Sequence, residues 1–315
     1  MPVVLDPDAA AVYKAFQEAG RPAYETLTAP EARAYYAQAR FATNPEPPDL
    51  ARVTPLSIPA PHGAIPARLY VPKEPRRDDG LSPALVFFHG GGWVIGDLDS
   101  HDVVCRQLAD AGALIVISVD YRLAPEHKFP AAIDDAIAAT KWVAANAREL
   151  GIDASRLSIG GDSAGGNLAA VVALAARDGN GPAIAAQLLI YPATDFAMTH
   201  GSHREPETSL LLTHSVIRWF RDHYLNGAAD IHDWRASPAR TTNLAGLPPA
   251  YVLTAGADPL RDEGDEYAQR LRQAGVPVAT KHYPGQFHGF ITMGKLLREA
   301  NVAVSEIGAW LKGLG

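Results

Sequence analysis

The chain has 315 residues, 47% of them hydrophobic and 20% charged, with a formal net charge of −7. Such a composition folds into a globular protein with a sizeable core, and an acidic chain with no basic run longer than Arg76-Arg77 excludes nucleic acid or an anionic membrane surface as its main partner. A single cysteine, Cys105, excludes an intrachain disulfide and a thiolate metal cluster.

The opening stretch MPVVLDPDAAAVYKAF lacks the basic and apolar regions of a secretory signal, and no uncharged apolar run reaches the ~18 residues of a membrane span, so a cytoplasmic location is expected. Residues 1–45 carry two helical patterns, the second opened by Thr28 with Pro30 in its first turn. Two β-branched runs, 53–58 and 66–71, flank the turn signal Pro61-His62-Gly63 and predict a hairpin. Residues 72–83 read as a solvated loop. Further strands are predicted at 84–88, 114–119, 157–160, 187–191, 250–255 and 278–283. Helical periodicity separates most of them, and the inner runs are apolar throughout rather than alternating. This pattern predicts an α/β fold with a mostly parallel sheet of about eight strands, covered by helices on both faces. Cys105, in the helical stretch HDVVCRQLADAG, reads as a buried structural thiol.

Residues 195–236 are too long for a simple crossover and include the amphipathic stretch ETSLLLTHSVIRWFRDHYL. Together with residues 1–45 they are expected to form a lid over one edge of the sheet. The whole chain, 1–315, then reads as one domain.

Between a strand-like and a helix-like segment stands GDSAG, residues 161–165. A serine on a tight strand-to-helix turn has its hydroxyl exposed at the sheet's carboxyl edge, and flanking glycines admit backbone where a β-carbon would clash. The alternative of a phosphate-binding turn lacks a following Gly-Lys-Ser/Thr, and Asp162 would repel an anion. Ser163 is therefore the candidate nucleophile. It needs a base, and on such a sheet the order is serine, acid, histidine. His288, in PGQFHGF just past the last strand, is preferred over His282 within that strand. For the acid, Asp258 follows a strand end in YVLTAGAD; Asp195 is the rival, and Asp262 reads as a charge in the first turn of a helix. HGGGW, residues 89–93, supplies bare amides right after a buried strand, suited to a developing oxyanion together with the amide of Ala164. Spacing alone leaves open which two of Gly90, Gly91 and Gly92 donate. His89 is expected to orient that loop.

HGGGW, SVDYRLAPEHKFPAA (118–132), GDSAGGN (161–167), DPLRDEG (258–264) and HGF (288–290) together resemble the bacterial hormone-sensitive-lipase-like esterases of the α/β-hydrolase fold, over nearly the whole chain. The resemblance implies a triad of Ser163, Asp258 and His288 and oxyanion donors at Gly91, Gly92 and Ala164. It also implies a helical cap from 1–45 and 195–236, and dimerisation through the last strand. Arg122, Glu126 and His127 read as loop-fixing groups.

The expected chemistry is hydrolysis of short- to medium-chain carboxylic esters through an acyl-enzyme, with no cofactor and no metal. The pair His200 and His203 is not read as a metal site, since no further cysteine or carboxylate cluster supports one. Competing readings are an amidase or arylformamidase, and a non-catalytic binding protein of the kind the plant gibberellin receptors represent. Those receptors lack the working histidine that His288 supplies here. Trp93, Tyr191 and Phe290 are candidate substrate contacts. Tyr35, Tyr36, Leu210, Leu211, Leu212, Trp219 and Phe220 are expected to form mostly cap core, with a few on the pocket wall.

Overall fold

The computed structural model describes residues 3–74 and 80–314, and these form an eight-stranded sheet. Its strands are β1 (Arg52–Ala60), β2 (Gly63–Val71), β3 (Ser82–Phe88), β4 (Ile115–Val119), β5 (Ile152–Asp162), β6 (Gln187–Ile190), β7 (Ala250–Ala257) and β8 (Val278–Phe287). They lie in the order β1-β2-β4-β3-β5-β6-β7-β8. The β1–β2 hairpin closes at Ala60 and Gly63, β2 runs antiparallel to β4, and the remaining neighbours are parallel.

The α-helices are α1 (Pro7–Glu18), α2 (Ala29–Thr43), α3 (Asp102–Gly112), α4 (Ala131–Ala145), α5 (Ala164–Ala175), α6 (His214–Tyr224), α7 (Arg261–Gln273) and α8 (Arg298–Gly313). Every residue of β3 and β4 is buried, as their unbroken apolar runs require. Strand alternation sends Val86 and Phe88 into one core layer and Leu85 and Phe87 into the other. The first layer is completed by α4, α5 and α7, the second by α3 and α8 with Ala9 and Val12 of α1. Cys105 of α3 is fully buried, and burial pushes its thiol well up, as a structural role requires.

Several strand boundaries differ from those expected, most of all in β8, β5 and β3. β8 continues through Pro284 to Phe287, so His288 comes directly off a strand end rather than out of a loop. Pro284 reads as a stop in sequence, but β8 is the outermost strand and needs partners on one side only, where a proline is tolerated. A register shift opposite Ala255 and Ala257 accommodates the extension. β5 starts at Ile152, opposite Ser82, before another shift restores the register at Ala84–Leu157. The loop expected over 72–83 ends earlier, because Ser82 and Pro83 belong to β3; residues 75–79, with the Arg76-Arg77 pair, lie outside the described residues.

Of the amphipathic stretch 207–225, only α6 is α-helical. Thr213 caps it, its hydroxyl accepting from the Val216 amide at 3.2 Å. Thr28 opens α2 in a capping box with Glu31. Arg33 then ties α2 to the body of the molecule through Glu126 (2.6 Å) and the carbonyls of Val94 and Ala124 (2.8 Å each). The Arg33 hydrogen bonds hold Glu126 down to about 2. Arg122 is bidentate on the fully buried Asp135, so two of the three loop-fixing groups have long-range partners, whereas the His127 side chain is exposed. No helix among the described residues is long and apolar enough to cross a membrane.

Candidate active site

β5 ends at Asp162 and α5 begins at Ala164, leaving Ser163 alone on the turn with φ 56° and ψ −116°. Few non-glycine residues adopt such a conformation, which costs of order 1–3 kcal/mol and persists only where the surroundings impose it. The Ser163 amide donates to the Ile190 carbonyl at 2.8 Å, and its carbonyl accepts from Asn167 and Ala193. The glycines on either side have a steric cause. A β-carbon on Gly165 would stand 1.8 Å from the Phe88 carbonyl oxygen, and one on Gly161 would stand 2.3 Å from the same atom. The end of β3 is thus pressed into the turn.

Sheet order brings two distant residues to this serine. β7 and β8 are neighbours with Ala257 opposite Phe287, so Asp258 and His288 leave adjacent strand ends side by side. His288 Nε2 lies 2.9 Å from Ser163 Oγ, and its Nδ1 lies 2.8 Å from Asp258 Oδ2. Asp258 is fully buried, and its other oxygen accepts the Leu260 amide at 2.8 Å. An ionised carboxylate can only accept, so Nδ1 carries the proton and Nε2 is free to accept one from the serine. The alternatives weighed from sequence have other partners. Asp195 pairs with Arg240 at 3.0 Å, Asp262 with Arg261 at 2.8 Å, and the exposed His282 reaches the Thr254 hydroxyl at 2.9 Å.

The loop after β3 is held from below by a residue to which sequence spacing gave no role. Asp162, buried beneath Ser163, accepts the Gly90 amide at 2.8 Å and lies 3.2 Å from His101 Nε2. Burial alone would push its carboxyl up, but His101 and the Gly90 amide outweigh it and hold the group below the usual carboxylate range. His89 Nδ1 donates to the Gly90 carbonyl at 2.8 Å, and its ring stacks on Tyr121 at 4.3 Å. Burial, reinforced by His101, pushes His89 down to about 4, so it is a neutral structural imidazole at pH 7. Gly91 and Gly92 turn the chain with φ of 121° and 58°. Behind Gly92 the Phe220 ring leaves no room for a side chain, since a β-carbon would meet it at 2.2 Å.

Above these groups opens a cavity of about 360 Å³, lined at its base by Gly91, Gly92, Ser163 and His288. Its walls come largely from residues 1–45 and 195–236. Tyr35, Tyr36, Leu210, Leu211, Leu212 and Phe220 all face it, more of the aromatic and leucine set than the sequence suggested, whereas Trp219 packs on Phe220 and His223 instead. Trp93 lines the cavity and stacks on Tyr224 at 4.5 Å. The other two candidate substrate contacts are not on the lining. Tyr191 is fully buried with its ring 4.7 Å from the His288 imidazole, and Phe290, equally buried, packs behind Tyr191 at 6.0 Å. They back the imidazole rather than face the cavity.

His200 and His203 acquire a carboxylate neighbour that sequence spacing concealed. Glu263 sits in the first turn of α7, and ligand-capable atoms of the three residues lie within 4.8 Å of one another. Its oxygens are already engaged, one by His203 Nε2 at 2.7 Å and the other by the Thr194 and Asp195 amides at 2.6 and 3.2 Å. The arrangement acts as a buried clasp between α7 and the segment after β6.

A serine on a strand-to-helix turn, with histidine and carboxylate delivered from adjacent parallel strand ends, defines a hydrolase of the α/β class. Residues 85–292 match the model of a family described as having the alpha/beta hydrolase fold. The chain is 46% identical over 263 residues to Esterase LipI of Mycobacterium tuberculosis, covering 83% of this chain and 81% of that protein. It is 40% identical over 309 residues to an ethyl acetate hydrolase of Pseudomonas putida, covering 94% and 95% of the two chains. A solved ester-hydrolase from the metagenome of Lake Arreo, complexed with a derivative of bipyridine phosphonate, aligns with a TM-score of 0.94 at 41% identity, covering 98% of this chain and 99% of that one. The chain belongs to the α/β-hydrolase family, in its hormone-sensitive-lipase-like esterase branch, and is a carboxylesterase.

Proposed function

We propose that this carboxylesterase works through a covalent acyl-enzyme formed on Ser163. The observation that carries the reading is the continuous hydrogen-bonded chain Asp258–His288–Ser163, with distances of 2.8 and 2.9 Å. Ser163 Oγ attacks the ester carbonyl as His288 Nε2 takes its proton; the imidazolium, stabilised by Asp258, then protonates the departing alcohol. Water, deprotonated by the same imidazole, attacks the acyl-enzyme and releases the acid.

The amides of Gly91, Gly92 and Ala164 are the donors to the oxyanion. Support for this pair of glycines is that the Gly90 amide is committed to Asp162, while Gly91 and Gly92 face the cavity beside Ser163. Ala164 opens α5, where the first amides have no acceptor within the helix. Each such donor is worth ~2.7–4 kcal/mol in the transition state.

Residues 1–45 and 195–236 form the cap. A cavity of about 360 Å³ stands near the small end of the roughly 300–1,000 Å³ of small-molecule sites, which supports short to medium acyl chains. The likeness to an ethyl acetate hydrolase agrees with that range.

The test is Ser163→Ala with p-nitrophenyl butyrate. Loss of a triad serine costs on the order of 10⁶ in kcat where measured, so a fall of at least 10⁴ is expected, together with loss of covalent labelling by a phosphonate in the intact-protein mass. Hydrolysis continuing near the wild-type rate would remove Ser163 from the mechanism.

A further inference from the structure

Beyond the ester-cleaving groups, we infer that the cavity contains a recognition point for an anionic group on the substrate, with Arg40 as its specificity-determining residue. The inference rests on the acyl-enzyme reading above and assigns the enzyme a substrate class: carboxylic esters that also carry a free carboxylate.

Arg40 lies in the last turn of α2 and lines the same cavity as Ser163 and His288. Its guanidinium stands over the Tyr36 ring, 4.8 Å from the centroid. One terminal nitrogen donates to the Thr292 hydroxyl, while the buried Nε has no hydrogen-bond partner. Among the described residues no carboxylate forms an ion pair with it.

The acidic groups on the same lining are occupied elsewhere. Asp162 serves Gly90 and His101, Asp195 holds Arg240, and Glu263 holds His203 and two amides. Glu25 accepts from the Ser215 hydroxyl and remains beyond ion-pair range of Arg40. Each of these carboxylates has a partner of its own, although Glu25 Oε2 is buried without one, and the second guanidinium on the lining, Arg21, stands over the Phe16 ring; Arg40 is met by one hydroxyl and an aromatic face.

A guanidinium stays charged at any working pH and presents its donors as a planar fork that fits a carboxylate bidentately. A wall needed solely for neutral acyl chains gains nothing from a guanidinium whose buried Nε is left without a partner. A carboxylate on the ester, separated from the scissile carbonyl by a short chain, would satisfy the unused donors while the carbonyl lies at Ser163.

Two matched pairs of esters test this, one for each side of the scissile bond. On the acyl side, the p-nitrophenyl half-ester of adipic acid is compared with p-nitrophenyl heptanoate; on the alcohol side, 4-carboxyphenyl butyrate is compared with phenyl butyrate. For each pair the ratio of anionic to neutral kcat/KM is measured in wild type, Arg40→Met and Arg40→Lys. In at least one pair, Arg40→Met is expected to lower the ratio fivefold or more, with neutral-ester kcat/KM within threefold of wild type and partial recovery in Arg40→Lys. A smaller change of the ratio in both pairs, or a parallel loss on both members of each pair, overturns the inference. Should neither variant fold, the wild type decides: a lower KM for an anionic ester than for its neutral partner supports the subsite, and equal or higher KM values in both pairs refute it. Neutral-ester hydrolysis that depends on Ser163 leaves the acyl-enzyme reading intact in either case.

Discussion

Gly165→Ala tests whether the turn around Ser163 is built by backbone pressed against backbone. The new β-carbon would lie 1.8 Å from the Phe88 carbonyl oxygen, 2.6 Å from its carbon and 2.8 Å from the His89 oxygen. A carbon–oxygen contact needs roughly 3.3 Å, so the start of α5 and the end of β3 must separate by about 1.5 Å. Neither side can yield by a rotamer change. Phe88 is held in the sheet opposite Val119 on one side and Gly161 on the other. Overpacking costs typically about 1–3 kcal/mol, and a clash with fixed backbone belongs at or above the top of that range. About 3 kcal/mol corresponds to a melting point lower by roughly 4–5 °C in a chain of 315 residues, whose unfolding entropy is about 2.1 cal/mol/K per residue. The same displacement carries His89 to Gly92 with it, and a misplacement of about 1 Å at a reacting centre costs on the order of 10² in rate.

The assay is thermal and urea unfolding together with kcat/KM on p-nitrophenyl butyrate. Gly227→Ala serves as the control: that glycine is extended at φ −179°, and a β-carbon added there would meet nothing within 4 Å, so the change is expected to be silent. A Gly165→Ala protein matching Gly227→Ala in melting point and in kcat/KM would refute the steric account of the GDSAG glycines.

Two further expectations concern the imidazoles. Asp258→Asn keeps the shape of the buried acid but no longer favours the tautomer in which Nε2 accepts from Ser163; kcat is expected to fall by on the order of 10⁴ at pH 7 with little change in KM, and a loss under tenfold would contradict the role given to Asp258. His89 is buried and, with His101 nearby, pushed down to about 4, below its value in the unfolded chain. As pH falls from about 6.5, the unfolded chain takes up that proton first, so this contribution is whole above pH 6.5 and is lost progressively as pH drops toward 4. The difference amounts to about 3 kcal/mol. Urea unfolding between pH 7 and pH 4 is therefore expected to cost wild type more stability than His89→Gln, and equal losses would show that His89 does not titrate as its burial implies.

Much of the architecture was legible locally. Unbroken apolar runs such as ALVFF and LIVISV mark strands covered on both faces, because a strand with two buried sides has no position left for a polar residue. Thr28 and Pro30 announced α2, and the glycine spacing around Ser163 announced the turn. These signals work because helix, strand and turn each impose a short-range rule on neighbouring residues.

What the sequence could not decide involves contact between residues far apart in it. Asp195 and Asp258 both follow strand ends; what separates them is that β7 lies beside β8 in a register that sets Ala257 opposite Phe287, while Arg240 claims Asp195. The commitment of the Gly90 amide to Asp162, the retreat of Tyr191 and Phe290 behind the imidazole, and the meeting of Glu263 with His203 are of the same kind. So is the arrival of the Arg40 guanidinium on the cavity wall with its Nε left without a partner. A period of two or of 3.6 residues tells which way a side chain points from its own element. It carries no information about which element stands opposite, and that depends on strand order, register and the path of the long segments that close over the sheet.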